Sequence, residues 1–162
     1  MIRAARPDDA PAILAFWNPL IRETLVTFNP TEKTETELRA TIEAKPLAGQ
    51  AFLVAEVDGA ILGFVTYGQF RAGVGYGRAM EHTIILAPAA QGKGVGRALM
   101  AAAEDHARRQ GYHIMVAAVS GGNPQGRAFH AALGYAEVGV IPEAGWKFDR
   151  YWDLVLMQKV LT

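Results

Sequence analysis

The chain has no cysteine, which removes disulfides, thiolate metal sites and a cysteine nucleophile together. A route through an acyl-cysteine is excluded. It has no net charge either, because 16 Lys and Arg balance 16 Asp and Glu, and this argues against nucleic acid or a membrane surface as the main partner. No apolar run approaches the roughly 20 residues of a membrane span. Nor does an uninterrupted apolar core follow the N-terminal arginines, since Pro7, Asp8 and Asp9 intervene, so a cytoplasmic protein is expected. No spacing among the four histidines and the carboxylates suggests a metal site, and no metal is expected. His82, His106 and His113 read as structural or exposed. Repeats, low-complexity stretches and linkers are absent, and 162 residues fit one domain, 1–162, with a sizeable core.

What is present is organised around residues 81–100, which read as strand, glycine-rich turn and helix. An apolar strand ending near Pro88 delivers the backbone into Gln91, Gly92, Lys93, Gly94, Val95, Gly96 and Arg97. The three glycines allow a tight bend that aims bare N–H groups at an anion, and the following helix adds its positive end. Spacing separates the kinds of phosphate loop. A Walker A loop needs Ser or Thr after its lysine, and Lys93 is followed by Gly94. The dinucleotide pattern G-x-G-x-x-G begins at Gly92 and Gly94 but meets Arg97 at its third glycine. What fits is Gln-x-x-Gly-x-Gly, with Gln91, Gly94 and Gly96.

Along the chain, residues 1–5 form a short strand candidate and Pro7-Asp8-Asp9 signals a helix start. Ala10, Ile13, Leu14, Trp17, Leu20 and Ile21 give that helix one apolar face. Pro19 is expected to kink or restart it, and Trp17 to lie in the core. Residues 23–30 lack a clean period. A second helix begins near Thr34, which has capping-box spacing to Glu37, and should stop before Pro46. Residues 51–57 and 60–67 form a hairpin around Asp58-Gly59, and glycine-rich residues 70–78 form a loop. After the glycine turn, a helix with Val95, Leu99, Met100, Ala103 and Ala107 inward ends at Gly111. Residues 113–119 are then a buried strand, parallel to the one beginning near Ala79, with a right-handed crossover. Asn123-Pro124 caps a further helix that ends at Gly134, with Phe129 and Leu133 facing the core. Residues 135–140 and 151–160 are the last strands, joined by a loop holding Pro142, Gly145, Trp146, Lys147 and Arg150.

The element order and the Gln91–Gly94–Gly96 turn resemble the acetyl-CoA loop of the GNAT superfamily of N-acetyltransferases. Residues 116–124 (Val-Ala-Ala-Val-Ser-Gly-Gly-Asn-Pro), 129–135 (Phe-His-Ala-Ala-Leu-Gly-Tyr) and 145–154 (Gly-Trp-Lys-Phe-Asp-Arg-Tyr-Trp-Asp-Leu) are similar to its phosphinothricin and methionine sulfoximine branch. The resemblance implies an α/β (α+β) GNAT fold with a mixed central sheet. It also implies direct acetyl transfer from acetyl-CoA to a primary amine, a detoxifying role and a homodimer. Ile84, Ile85 and Leu86 would meet the pantetheine arm, residues 91–97 the pyrophosphate, and Asn123 the CoA as well as capping its helix.

An ammonium has no lone pair to attack with, so a base must take its proton. The resemblance gives that role to Glu81, whose pKa burial would raise. Glu81, His82 and Thr83 are expected beside the acceptor. The departing thiolate needs a proton, and the position where most GNAT proteins carry Tyr holds His130, which could equally be a histidine satisfied within its helix. Phe70-Arg71 matches a motif before the substrate loop, so Arg71 could hold an acceptor carboxylate. Ala72 and Gly73 follow where relatives often carry Pro and a bulkier residue, which implies a wider or differently shaped pocket. Phe28, Tyr76, Trp146 and Lys147 are further candidates for its walls. Two alternatives stay open: another small amine, polyamine or peptide N-terminus as acceptor, and a non-catalytic acetyl-CoA sensor.

Overall fold

The computed structural model describes all 162 residues. Its frame is one sheet of seven strands, β1 (Ile2–Ala4), β2 (Phe52–Val57), β3 (Ala60–Gln69), β4 (Ala79–Leu86), β5 (Ile114–Ser120), β6 (Ala136–Lys147) and β7 (Arg150–Val160), in the order β1-β2-β3-β4-β5-β7-β6. Neighbours are antiparallel except β4 and β5, which are parallel. Helices α1 (Ala10–Glu23), α2 (Glu35–Leu47), α3 (Val95–Arg109) and α4 (Pro124–Ala132) complete the chain.

The strand period of two divides the core between the two faces of the sheet. In β3, Phe64 points to the side covered by α1 and α2, where it meets Ala10, Ile13, Phe16, Leu38 and Ile42. Its neighbour Val65 points to the opposite side, against Leu99, Met100 and Ala103 of α3. The five α3 residues expected to face inward are all buried. The β2–β3 turn has Asp58 at φ 50° and Gly59 at φ 80°, the left-handed pair that a two-residue hairpin turn requires.

Caps lie where the sequence puts them. Thr34 Oγ1 accepts the Glu37 N–H at 3.2 Å and Glu37 Oε2 accepts the Thr34 N–H at 3.1 Å. Asn123 Oδ1 accepts the Gly126 N–H at 3.0 Å. Both prolines expected to interrupt helices instead lie inside them, Pro19 in α1 and Pro46 in α2. Each sits near the C-terminal end, where losing one internal bond costs less than giving up the turn that follows. In α1 that turn carries Ile21, which is 1% exposed.

The largest departure concerns residues 141–150, expected as a loop and found in strands. β6 runs to Lys147 and turns through Phe148 and Asp149, at φ 56° and 58°, into β7. A register shift between Ile141 and Gly145 takes up Pro142, and β6 is an edge strand, where proline is tolerated.

Candidate functional site

The two central strands do not stay together. β4 and β5 pair only at Ala79–Ile114, Met80–Met115 and Glu81–Val116. Beyond Glu81, β4 continues to Leu86 bonded to β3 alone, while β5 continues to Ser120 bonded to β7 alone. The free backbone edge of β4 therefore faces a gap, which opens into a cleft of about 770 Å³. Residues 81–86 and 117–120 form its sides, with Phe129 and His130 of α4, Trp17, Leu20 and Ile21 of α1, and residues 26–29 of the α1–α2 loop.

The glycine turn lies at the Leu86 end of this gap. Gly92 and Gly94 have φ 75° and 72°, and a Cβ at either would meet nothing within 4 Å, so conformation rather than crowding asks for glycine there. Gly96 differs, since a Cβ would lie 2.9 Å from the Phe129 ring and 3.1 Å from Leu86 Cδ1. Leu86 and Phe129 also line the cleft, which joins turn and cleft. The first loop-to-helix bond of α3 runs from the Ala98 N–H to the Gly94 carbonyl at 3.1 Å. The amides of Val95, Gly96 and Arg97 precede it at the positive end of the helix, without an intrahelical acceptor. Gln91, Lys93 and Arg97 are exposed around them. Such a cradle fits the pyrophosphate of a CoA.

Glu81 stands where the strands part. It is half-buried in the cleft wall, and desolvation raises its carboxyl above the ordinary 4.5. Beside it in sequence, on the other face of β4, His82 is 6% exposed. Its Nε2 lies 2.9 Å from His130 Nε2, and His130 Nδ1 lies 2.7 Å from the Gly126 carbonyl oxygen. A carbonyl only accepts, so Nδ1 of His130 carries a hydrogen and a neutral His130 accepts at Nε2. His82 must then donate from Nε2, which leaves its buried Nδ1 without a partner. Burial pushes the His82 pKa down to about 3 and also lowers that of His130. Both rings pack against Tyr135. No group of three or more His, Asp and Glu side chains gathers as a metal site would require.

Of the residues singled out in the sequence, Phe28, Glu81, His82, Thr83, Ile84, Ile85, Leu86, Asn123 and His130 line the cleft together. Arg71, Ala72 and Gly73 do not. They are exposed on the β3–β4 loop, where Gln69 Nε2 donates to the Arg71 and Gly73 carbonyls at 2.7 Å each and the Arg71 guanidinium lies 5.2 Å over the Tyr76 ring. Tyr76 and Trp146 are likewise exposed, and Lys147 is buried beneath the α1–α2 loop. Trp17 is shared between core and cleft, packing at 4.8 Å on Phe64 while lining the wall. Lys33, which the sequence reading passed over, is the one Lys or Arg among the lining residues. The His82–His130 pair spans 48 positions, so only the strand–helix topology brings it together.

A family model described as "Acetyltransferase (GNAT) family" matches residues 17–135. The chain is 36% identical to an L-methionine sulfoximine/L-methionine sulfone acetyltransferase of Pseudomonas paraeruginosa, over 97% of its own length and 92% of the relative's. It is 35% identical to a phosphinothricin N-acetyltransferase of Alcaligenes faecalis, over 99% and 82%. Among solved structures, a Salmonella typhimurium acetyltransferase with its cofactor acetyl-CoA superposes at a TM-score of 0.95, with 34% identity, covering 100% of this chain and 94% of that one. The strand split, the cradle and the cleft that joins them thus have a common owner: the chain belongs to the GNAT family of acetyltransferases.

Proposed function

We propose that this acetyl-CoA-dependent N-acetyltransferase acts on the primary amine of a small amino-acid-like substrate of the methionine sulfoximine, methionine sulfone or phosphinothricin type. The observation that carries the proposal is the parting of β4 and β5 with a desolvated Glu81 at its apex. The relatives' names support the acceptor class.

When bound, acetyl-CoA supplies a thioester carbonyl for the amine's attack. Residues 91–97 would hold its pyrophosphate on amides that lack an intrahelical acceptor, Ile84, Ile85 and Leu86 its pantetheine arm along the free edge of β4, and Asn123 would border it. Glu81 takes the ammonium proton, directly or through a water, which frees the lone pair. Its raised pKa favours that transfer, because a stronger base at the working pH accepts more readily. Attack by the amine is direct, as in the family, and the absence of cysteine is compatible with that.

For the proton that the leaving thiolate takes up, His130 is our candidate. With one nitrogen donating to Gly126 and the other accepting from His82, His130 releases or gains a proton only as the His82 bond rearranges. The two rings act as a unit. Phe28, His82 and Thr83 shape the acceptor end. Lys33 is the cleft's own cation for an acceptor carboxylate, and Arg71, with Ala72 and Gly73, contributes only if its loop folds inward. We also propose a cytoplasmic homodimer. No helix is long and apolar enough to cross a membrane, and Val138, Val140, Ile141, Trp146 and Tyr151 leave exposed apolar side chains on the edge hairpin for a second copy.

Thiol release from acetyl-CoA, followed over methionine sulfoximine, methionine sulfone, phosphinothricin, ordinary amino acids, a polyamine and short peptides, tests the acceptor. Turnover concentrated on the first three is expected. Turnover confined to polyamine or peptide would overturn the acceptor class, and acetyl-CoA binding without turnover on any amine would favour a sensor.

A further inference from the structure

The string Gly145-Trp146-Lys147 has no part in the chemistry above, yet two of its residues are buried in a particular way. Lys147 is 4% exposed, and its ammonium donates to the carbonyls of Ile21 at 2.6 Å, Thr24 at 2.6 Å and Thr27 at 2.8 Å. A primary ammonium has three hydrogens, and here each goes to backbone oxygen. The Ile21 carbonyl belongs to the last turn of α1, where carbonyls lack helical partners and the helix end is negative. The Thr24 and Thr27 carbonyls belong to the loop that carries Val26, Thr27, Phe28 and Asn29 into the cleft wall. One cation therefore gathers three points of a segment that has no repeating structure of its own.

Two further contacts fasten the same segment. A Cβ at Gly145 would lie 2.5 Å from the Phe28 ring, so Phe28 rests flat on the bare backbone of β6. The Trp152 indole N–H donates to the Lys147 carbonyl at 2.8 Å, and a Cβ at Gly122 would lie 2.5 Å from Leu25 and 2.8 Å from that indole. The end of the β6–β7 hairpin thus sits beneath the loop and holds it from below.

We propose that Lys147 is a positioning residue for acceptor binding: its caged ammonium fixes residues 24–29 so that Phe28 presents a preformed wall to the amine substrate. This rests on the reading of the cleft as an amine-acceptor site. Without the cage, the loop samples open arrangements, and an acceptor must order it on binding, which raises its KM. Acetyl-CoA, held chiefly by β4 and the glycine turn, is spared. Arginine does not substitute, because a planar fork cannot aim three hydrogens at three converging carbonyls.

The test compares wild type with Lys147→Met, Lys147→Arg and Gly145→Ala, the last disturbing Phe28 while keeping the ammonium. KM for methionine sulfone is expected to rise about tenfold or more in all three, with the KM for acetyl-CoA within about twofold of wild type. Equal changes in both KM values, a fall in kcat alone that follows lost thermal stability, or full recovery in Lys147→Arg would each overturn the proposal. Hydrogen exchange separates this from the acceptor assignment. Even if no amine in the panel turns over, amides of residues 24–29 should exchange at least about tenfold faster in Lys147→Met than in wild type, with β4 unchanged. Equal exchange in both proteins would overturn the cage itself.

Discussion

In the proposed role, Glu81 would serve chemistry at the expense of stability. Burial raises its folded pKa above 4.5, so any stabilisation from it is complete below the ordinary value and is lost as pH rises through the folded one. At neutral pH its charge works against the fold. Glu81→Gln should therefore lower kcat by about 10² to 10⁴-fold and raise the melting temperature at pH 7, with the gain vanishing below pH 4.5. Calorimetry and steady-state kinetics on one preparation check both signs. A variant that loses activity and also melts earlier would instead mark Glu81 as a structural residue.

The histidine pair has the opposite sign. His82 is pushed down to about 3 from 6.5, so the folded chain keeps it neutral where the unfolded chain protonates it. Its contribution is present above pH 6.5 and is lost as pH falls toward the folded value. At pH 5 the loss amounts to about 2 kcal/mol. Denaturant titrations at pH 7.5 and 5 should show that slope in wild type and a shallower one in His82→Gln. The carboxylate could be singled out in the sequence because the family resemblance falls on a local stretch, a strand before a glycine turn. The pair was not, since neither histidine reveals its partner until α4 folds onto β4.

At the scale of elements, the strand–turn–helix unit was legible almost whole, because each part carries its own signal: glycines where φ is positive, apolar spacing along α3, an Asn-Pro start for α4. The β6–β7 hairpin was not. Pro142 and Gly145 read as loop residues, and only the edge position and the shifted register show how a strand accommodates them. The site was divided in the same way. Residues 91–97 stood out by their glycine pattern and residues 81–86 through the family resemblance, whereas Trp17 and Lys33 reach the cleft through the packing of α1 and the α1–α2 loop. For the turn, Gly94→Ala forces a side chain to φ 72°, a strain of about 1–2 kcal/mol, and adds a methyl group beside the amides proposed to hold the pyrophosphate. KM for acetyl-CoA should rise about tenfold with the acceptor KM nearly unchanged. Fluorescence titration with CoA provides an independent check, and undiminished binding would show that the cradle lies elsewhere.

For the whole molecule, Arg3 adds a side-chain tie to the backbone pairing that joins the first strand to β2. Arg3 Nη1 and Nη2 donate to Asp9 at 2.8 and 2.9 Å, and its Nε donates to Glu56 at 2.6 Å, joining β1, the turn before α1, and β2. The two bonds from Arg3 to Asp9 lower the Asp9 pKa. Their support is present above the ordinary 3.8 and is lost as pH falls through the depressed folded value. Arg3→Met should cost about 1–3 kcal/mol by urea denaturation at pH 7 and leave both KM values alone. Assembly is tested at the edge hairpin. Light scattering should return twice the 17.5 kDa chain mass for wild type and a lower mass for Ile141→Lys, and a wild-type monomer would contradict the dimer.

The proposed chemistry requires Glu81 to act as the base for an amino-acid-like amine at the point where β4 and β5 part. The most direct measurement is the pH dependence of kcat/KM for methionine sulfone at saturating acetyl-CoA, in wild type and Glu81→Gln. The wild-type rate should climb with pH along a limb whose midpoint lies above 4.5, and that limb should be absent from the residual activity of the variant. A variant that retains the wild-type rate and the same limb would contradict Glu81 as the base.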